Sequence, residues 1–194
     1  MFASIAYNLK NLTNIHGRDG RKVFWLYVLF IVILNVLASI LASIPMMVAA
    51  AEVGIAAAQS GNQAAAEAAI LDEVINYAPT LVWFSIIQSA VNIVLLAASF
   101  MRRTHDVGLP GILVAVPIAI QVIWMFIAYR QLDGIADTMR SGAQAELAGN
   151  SMPLEPGMIA QDLLGWLAFL IVVLVGLMKS QQGPNAYGEG PKVL

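Results

Sequence analysis

The sequence contains no cysteine. Disulfides, thiol nucleophiles and thiolate metal sites are thereby excluded, while the redox compartment stays open. Charge is scarce as well. Only 11% of the 194 residues are Asp, Glu, Lys or Arg, against about 25% in soluble domains. There are two histidines, too few for a histidine metal site, and no cofactor is expected. No isolated charge lies deep in any long apolar run, which argues against a proton relay or voltage sensor. Phosphate loops, nucleotide motifs and nucleic-acid-binding patches are missing.

What is present is apolar. Hydrophobic residues make up 59% of the chain, and the mean hydropathy is +0.76. A helix crossing a bilayer needs about 20 mostly apolar residues. Four segments meet or approach that length: 23–44, 80–101, 111–129 and 159–178. The fourth is the most polar, because Asp162 lies near its start. None shows the alternation of a barrel strand. Continuous apolar runs read as helices, which satisfy their own backbone in lipid. The first run is too long, and starts too far into the chain, for a cleaved leader. The expected fold is all-α: an integral membrane four-helix bundle forming one domain over 1–194. Residues 1–13 place Phe2, Ile5, Ala6, Leu9 and Leu12 on one helical face. They are expected to form an amphipathic helix in the inner interface, and 180–194 a cytoplasmic tail.

Basic residues set the sidedness. Lys10, Arg18, Arg21, Lys22, Arg102, Arg103, Lys179 and Lys192 fall on one side, and only Arg130 and Arg140 on the other. The positive-inside rule then puts both termini and the second loop in the cytoplasm. The expected location is the bacterial inner membrane, multi-pass, with both termini inside. The outer loops are rich in alanine, the best helix former. The first two spanning helices are expected to continue outward as a hairpin, with Ser60–Asn62 as its corner. The third loop is expected to be helical up to a break at NSMPLEPG.

Two sets of polar residues stand out. Asn35, Gln88, Asn92 and Gln121 are amides within the spans, the kind of group that hydrogen-bonds between helices. The second set lies in RRTHDVGLPG at 102–111, a tight inner hairpin between two spans. Its arginines are within reach of headgroup phosphates or carboxylates, so anionic lipid is an expected partner. His105 beside Asp106 has the makings of an acid–base pair. Adjacent helical residues point about 100° apart, however. The structural alternative, which is favoured, is an ion-paired knot joining Asp106 to Arg18, Arg21, Arg102 or Arg103.

Three segments, GRDGRKVFW at 17–25, RRTHDVGLPG at 102–111 and GPNAYGEGP at 183–191, together resemble the YhaH-type family of small bacterial inner-membrane proteins of unknown function. The matched positions are Gly17, Arg18, Arg21, Phe24, Trp25, Arg102, Arg103, His105, Asp106, Gly108, Gly111, Asn185, Tyr187, Gly188 and Pro191. The chain departs from the pattern at Val23, where the family has Glu, at Thr104, where it has Leu, and at Pro110 and Ile112, which flank the matched Gly111 where the family has Ser and Trp. The sidedness above puts all three segments on the cytoplasmic face. They are expected to converge there in a cluster containing Arg18, Arg21, Arg102, Arg103, His105, Asp106, Asn185 and Tyr187.

Three functions are in competition. The first is a non-enzymatic membrane protein, structural, regulatory or partner-binding, whose partner is another membrane protein or a second copy. The second is a small transporter or channel subunit lined by Gln88, Asn92 and Gln121. The third is an interfacial enzyme acting on lipid headgroups through His105 and Asp106. The first needs no catalytic constellation, and the sequence presents none.

Overall fold

The computed structural model describes residues 1–59, 61–147 and 156–191. The described residues are all-α. In chain order they form α1 (Phe2–Lys10), α2 (Arg21–Gln59), α3 (Gln63–Asp106), a 3-10 turn (Gly111–Val114), α4 (Ala115–Gln131), a second 3-10 turn (Leu132–Gly134), α5 (Ile135–Leu147) and α6 (Pro156–Leu177). Residues 150–155 of the expected NSMPLEPG break lie outside the described residues, and α6 starts at Pro156.

Helices α2 and α3 have 39 and 44 residues. At about 1.5 Å per residue each is roughly twice the thickness of a hydrocarbon core. Pro45 and Pro79 lie inside them without ending them. A proline removes one backbone hydrogen bond, and here the packing of α2 against α3 carries both helices past the gap. The hairpin turns at Gly61, whose φ of 73° suits a residue without a Cβ. Asn62 then caps α3, its side chain accepting from the Ala65 N–H at 3.1 Å.

Further contacts join α3 to α4, α4 to α6, and α6 back to α2, while α5 lies against α3. Three helical segments, Arg21–Gln59, Gln63–Asp106 and Gly111–Ala145, are long and apolar enough to cross a membrane. Gln161–Leu177 is a shorter apolar helix. Of the most apolar window in each long segment only 22%, 11% and 22% is buried. The greasy surface therefore faces outward, and the chain needs an apolar solvent around it.

A close crossing of α2 and α6 sits near one end of the molecule. A Cβ on Gly176 would lie 2.7 Å from Trp25 Cζ2 and 2.9 Å from Phe24 Cε1. The Trp25 indole N–H donates to the Gly176 carbonyl at 3.1 Å. Beside this crossing Phe24, Phe100, Val107, Val114 and Val175 form a buried apolar cluster. Gly176→Ala is expected to destabilise the protein by about 1–3 kcal/mol through overpacking, lowering the denaturation midpoint in detergent. Gly190→Ala, where nothing lies within 4 Å of the added carbon, should leave that midpoint in place.

Candidate functional site

The most deeply buried cluster of the molecule is charged. Arg102, Arg103, Thr104 and Asp106 at the end of α3 are all 0% exposed, and Asp19 is equally inaccessible. Three segments meet there: the turn before α2, the end of α3, and the chain leaving α6.

Each arginine fastens a different segment. Arg18 Nε donates to Asp106 Oδ1 at 3.2 Å, and its two terminal nitrogens donate to the Gln181 and Gly183 carbonyls. Arg102 Nε donates to Asp19 Oδ2 at 3.0 Å. Its other nitrogens bond Asn8 Oδ1 at 2.6 Å and the carbonyls of Asn11 and Asn14. The Tyr7 ring lies 5.3 Å from its guanidinium carbon. Arg103 donates to Asp106 Oδ2, to the Gly176 and Met178 carbonyls, and to the Ser180 hydroxyl at 3.3 Å.

The acceptors explain the arrangement. The last carbonyls of a helix have no partner within it and carry partial negative charge. Arg103 supplies donors to the end of α6, and Arg102 to the chain just past α1. Backbone bonds complete the seam, from Asp19 N to Arg102 O at 3.1 Å and from Gln181 N to Asp106 O at 2.9 Å.

The tail closes over His105. Asn185 donates to the His105 carbonyl at 2.9 Å and accepts from the Tyr187 N–H at 2.9 Å. A tight turn between Asn185 and Gly188 results, and the Tyr187 ring is stacked on the imidazole at 4.0 Å with 6° between planes. Gly108 permits this closure. Its φ is 80°, and a Cβ there would strike the Gln181 side chain at 2.0 Å.

Of the residues singled out in the sequence, Arg18, Arg102, Arg103, His105, Asp106, Asn185 and Tyr187 come together. Arg21 does not: it is exposed on the first turn of α2. Arg102 and Arg103 are buried and spend their terminal nitrogens inside the protein, the buried Arg103 Nε being without a partner, so neither presents donors to headgroups. Arg21 and Lys22 are exposed beside them. Val23, where the resembled pattern has Glu, is 2% exposed. Asp19, Asn8, Tyr7 and Gln181 belong to the cluster although the sequence reading passed over them. Asp19 left a signal, as an acid between two arginines inside the first motif.

Among the described residues no hydrogen bond joins the His105 imidazole to the Asp106 carboxylate. The Asp106 carboxylate is held by Arg18 and Arg103, and the imidazole faces Tyr187. Burial pushes the His105 imidazole below its ordinary value, with the Gly17 backbone pulling it up and His16 pushing it down. Burial also pushes the Asp19 carboxyl up, against the pull of Arg102 and the hydroxyls of Tyr7 and Ser99. Tyr7 is raised first by burial and then by the Asp19 charge.

The amides form a second, separate site. Gln88 donates to Asn35 Oδ1 at 2.6 Å, and Asn35 to Asn92 Oδ1 at 3.0 Å. Gln121 donates to Ser89 Oγ at 2.9 Å. The first chain joins α2 to α3, and the second joins α3 to α4.

Removing one partner of a buried ion pair strands the other, at about 3–5 kcal/mol. Asp106→Ala, which leaves both Arg18 and Arg103 without their carboxylate, is expected to lower detergent melting sharply. Asp19→Ala should do the same through Arg102, and Arg21→Ala should leave melting unchanged. Equal losses for Arg21→Ala and Asp106→Ala in a denaturation series would remove the ion-pair explanation.

No curated protein and no solved structure matches the chain. One family model does, over residues 12–189, a stretch that contains the ion pairs of the cluster, the amides and the turn at Tyr187 but not Tyr7 and Asn8. The chain belongs to that family, the proteins of unknown function called DUF805.

Proposed function

We propose that this is a multi-pass inner-membrane protein that does no chemistry of its own and acts by holding a partner. In this reading α2, α3, α4 and α6 form a four-helix transmembrane bundle with both termini in the cytoplasm. The charged knot is its inner clamp, and the far ends of α2 and α3 with α5 are the surface offered to the partner, another membrane protein or a second copy. The likeness to YhaH-type inner-membrane proteins fits this placement, as does the excess of basic residues on the side of the knot.

One observation carries the proposal. The buried ionisable cluster uses its charges on itself, with Asp19, Asp106 and the three arginines essentially out of solvent. A catalytic or anion-binding centre needs a charged group free to meet its substrate. Here the carboxylates and guanidiniums hold chain segments instead. The alternative of a pore lined by Gln88, Asn92 and Gln121 is less favoured, because those amides are bonded across the helix interfaces.

Single cysteines are clean probes in a chain that has none. Thr13→Cys and Gln182→Cys are expected to resist a membrane-impermeant maleimide in intact spheroplasts and to react after lysis. Glu67→Cys should react in both. A photo-cross-linking residue at position 67 should then give one discrete adduct, and one at position 182 none. Labelling of positions 13 and 182 from opposite faces would end the proposal, as would turnover of lipid headgroups that His105→Ala abolishes.

A further inference from the structure

A cavity of about 250 Å³ lies between α2, α3, α4 and α6. Its inner end is closed by Phe100 and Val114 of the buried apolar cluster. Its other end reaches Ser89, Asn92 and Gln121. Asn92 and Phe100 are eight residues apart on one helix, so the two ends are separated by about 12 Å.

Three features define what fits. No lining residue is ionisable, so a charged group there would have no counter-ion at a depth where charge is expensive. The polar end keeps unused hydrogen-bonding capacity. Asn92 accepts from Asn35 through its oxygen, and Gln121 donates to Ser89 through its nitrogen. The Asn92 amide N–H groups and the Gln121 carbonyl have no partner among the described residues. Lastly, the cavity opens sideways. Val32 of α2 and Phe169 of α6 line it and are also 46% and 54% exposed, so the gap between these helices faces the apolar surroundings.

We infer that this cavity binds a neutral amphiphile from the bilayer, its carbonyl or hydroxyl head seated against Asn92 and Gln121 and its apolar chain leaving between α2 and α6. The Asn92 amide donates to a carbonyl or hydroxyl oxygen. The Gln121 carbonyl accepts from a hydroxyl when one is present. An intact phospholipid is excluded as the occupant, since its phosphate would sit among uncharged residues. A pure hydrocarbon would leave both amides unanswered, which works against its binding.

Native mass spectrometry of the full chain released from detergent tests this with four probes at equal concentration. These are a decyl-substituted benzoquinone, dioctanoylglycerol, dodecane and dioleoylphosphatidylglycerol. A saturable one-to-one adduct is expected with the quinone, the diglyceride or both. A quinone-only result assigns a carbonyl head, and a diglyceride-only result a hydroxyl head. Asn92→Leu should weaken the quinone adduct, and Gln121→Leu the diglyceride adduct, each about tenfold, the loss of one buried hydrogen bond. Ala97→Phe, which fills the cavity from the α3 wall, should abolish both adducts. All three variants are first required to elute and melt as folded protein, and any one that does so is a sufficient test. Dodecane binding as tightly as the polar-headed probes would overturn the inference. So would adduct formation only by phosphatidylglycerol, or adducts that the folded variants leave unchanged.

Discussion

Two arginines side by side at the end of one helix organise this molecule. Neighbouring helical positions diverge by about 100°, so Arg102 and Arg103 reach in different directions from one turn of α3. Arg102 reaches the chain after α1, and Arg103 the end of α6. Burying a guanidinium is expensive unless its donors are met. Three buried arginines face two buried aspartates, an excess of one positive charge. The carbonyls of Asn11, Asn14, Gly176, Met178, Gln181 and Gly183 compensate for it. Several of these lie at or just beyond helix ends, where carbonyls lack partners and helix dipoles present negative charge. The ion pairs thus serve less as isolated bonds than as the means by which unpaired backbone at one end of the fold is satisfied.

This arrangement explains why residues so distant in sequence share one small volume. The hydrogen bonds of Arg18 to Asp106 and to Gly183 join chain positions 88 and 165 residues apart. Each contact alone is paid for in chain entropy, since closing a longer loop costs more, though only logarithmically. Their mutual dependence offsets that. Asp106 engages Arg18 and Arg103 together through its two oxygens, and its own carbonyl receives the Gln181 N–H. The tail that Arg18 holds is the same tail that lays Tyr187 over His105. A partial knot would leave buried charge unpaired, and that favours either the whole assembly or none of it.

The all-helical fold and the long apolar helices were legible because a bilayer demands a length and a composition that the sequence states openly. The cluster was legible in part, because arginines and an aspartate recur in short motifs on the side that the basic residues mark. What escaped was the direction in which polar side chains point. In α1 the apolar residues Phe2, Ile5, Ala6, Leu9 and Leu12 define a face, and a wheel assigns the other face to water. The structure instead buries Ser4 and Asn8 at 1% exposure and leaves Phe2 84% exposed. The physical reason is the charged interior at that end of the fold: where the buried cluster is polar, a polar face packs inward. Asp19 and Asn8 were passed over for that reason. Arg21 was included with them although it is exposed, since nothing in one sequence separates Arg18, in a turn that folds inward, from Arg21, on the first turn of a helix that faces out.

The same inversion relates the knot to the middle of the molecule. Phe100 lies two residues before Arg102, and Val107 directly follows Asp106, so the apolar cluster is fixed to the ion pairs by the covalent chain itself. Across from them Gly176 gives its carbonyl to both Arg103 and Trp25, which holds α6 against α2 at this level. Farther along, the helices are joined by a few amide bonds, and α2 and α6 separate enough for the cavity to open at Val32 and Phe169. Hydrogen bonds between uncharged side chains in a membrane contribute only about 0.6–2 kcal/mol each, less than the penalty for breaking a buried ion pair. The packing is therefore graded along its length, firmest at the charged end and most open to rearrangement where the amides and the cavity lie.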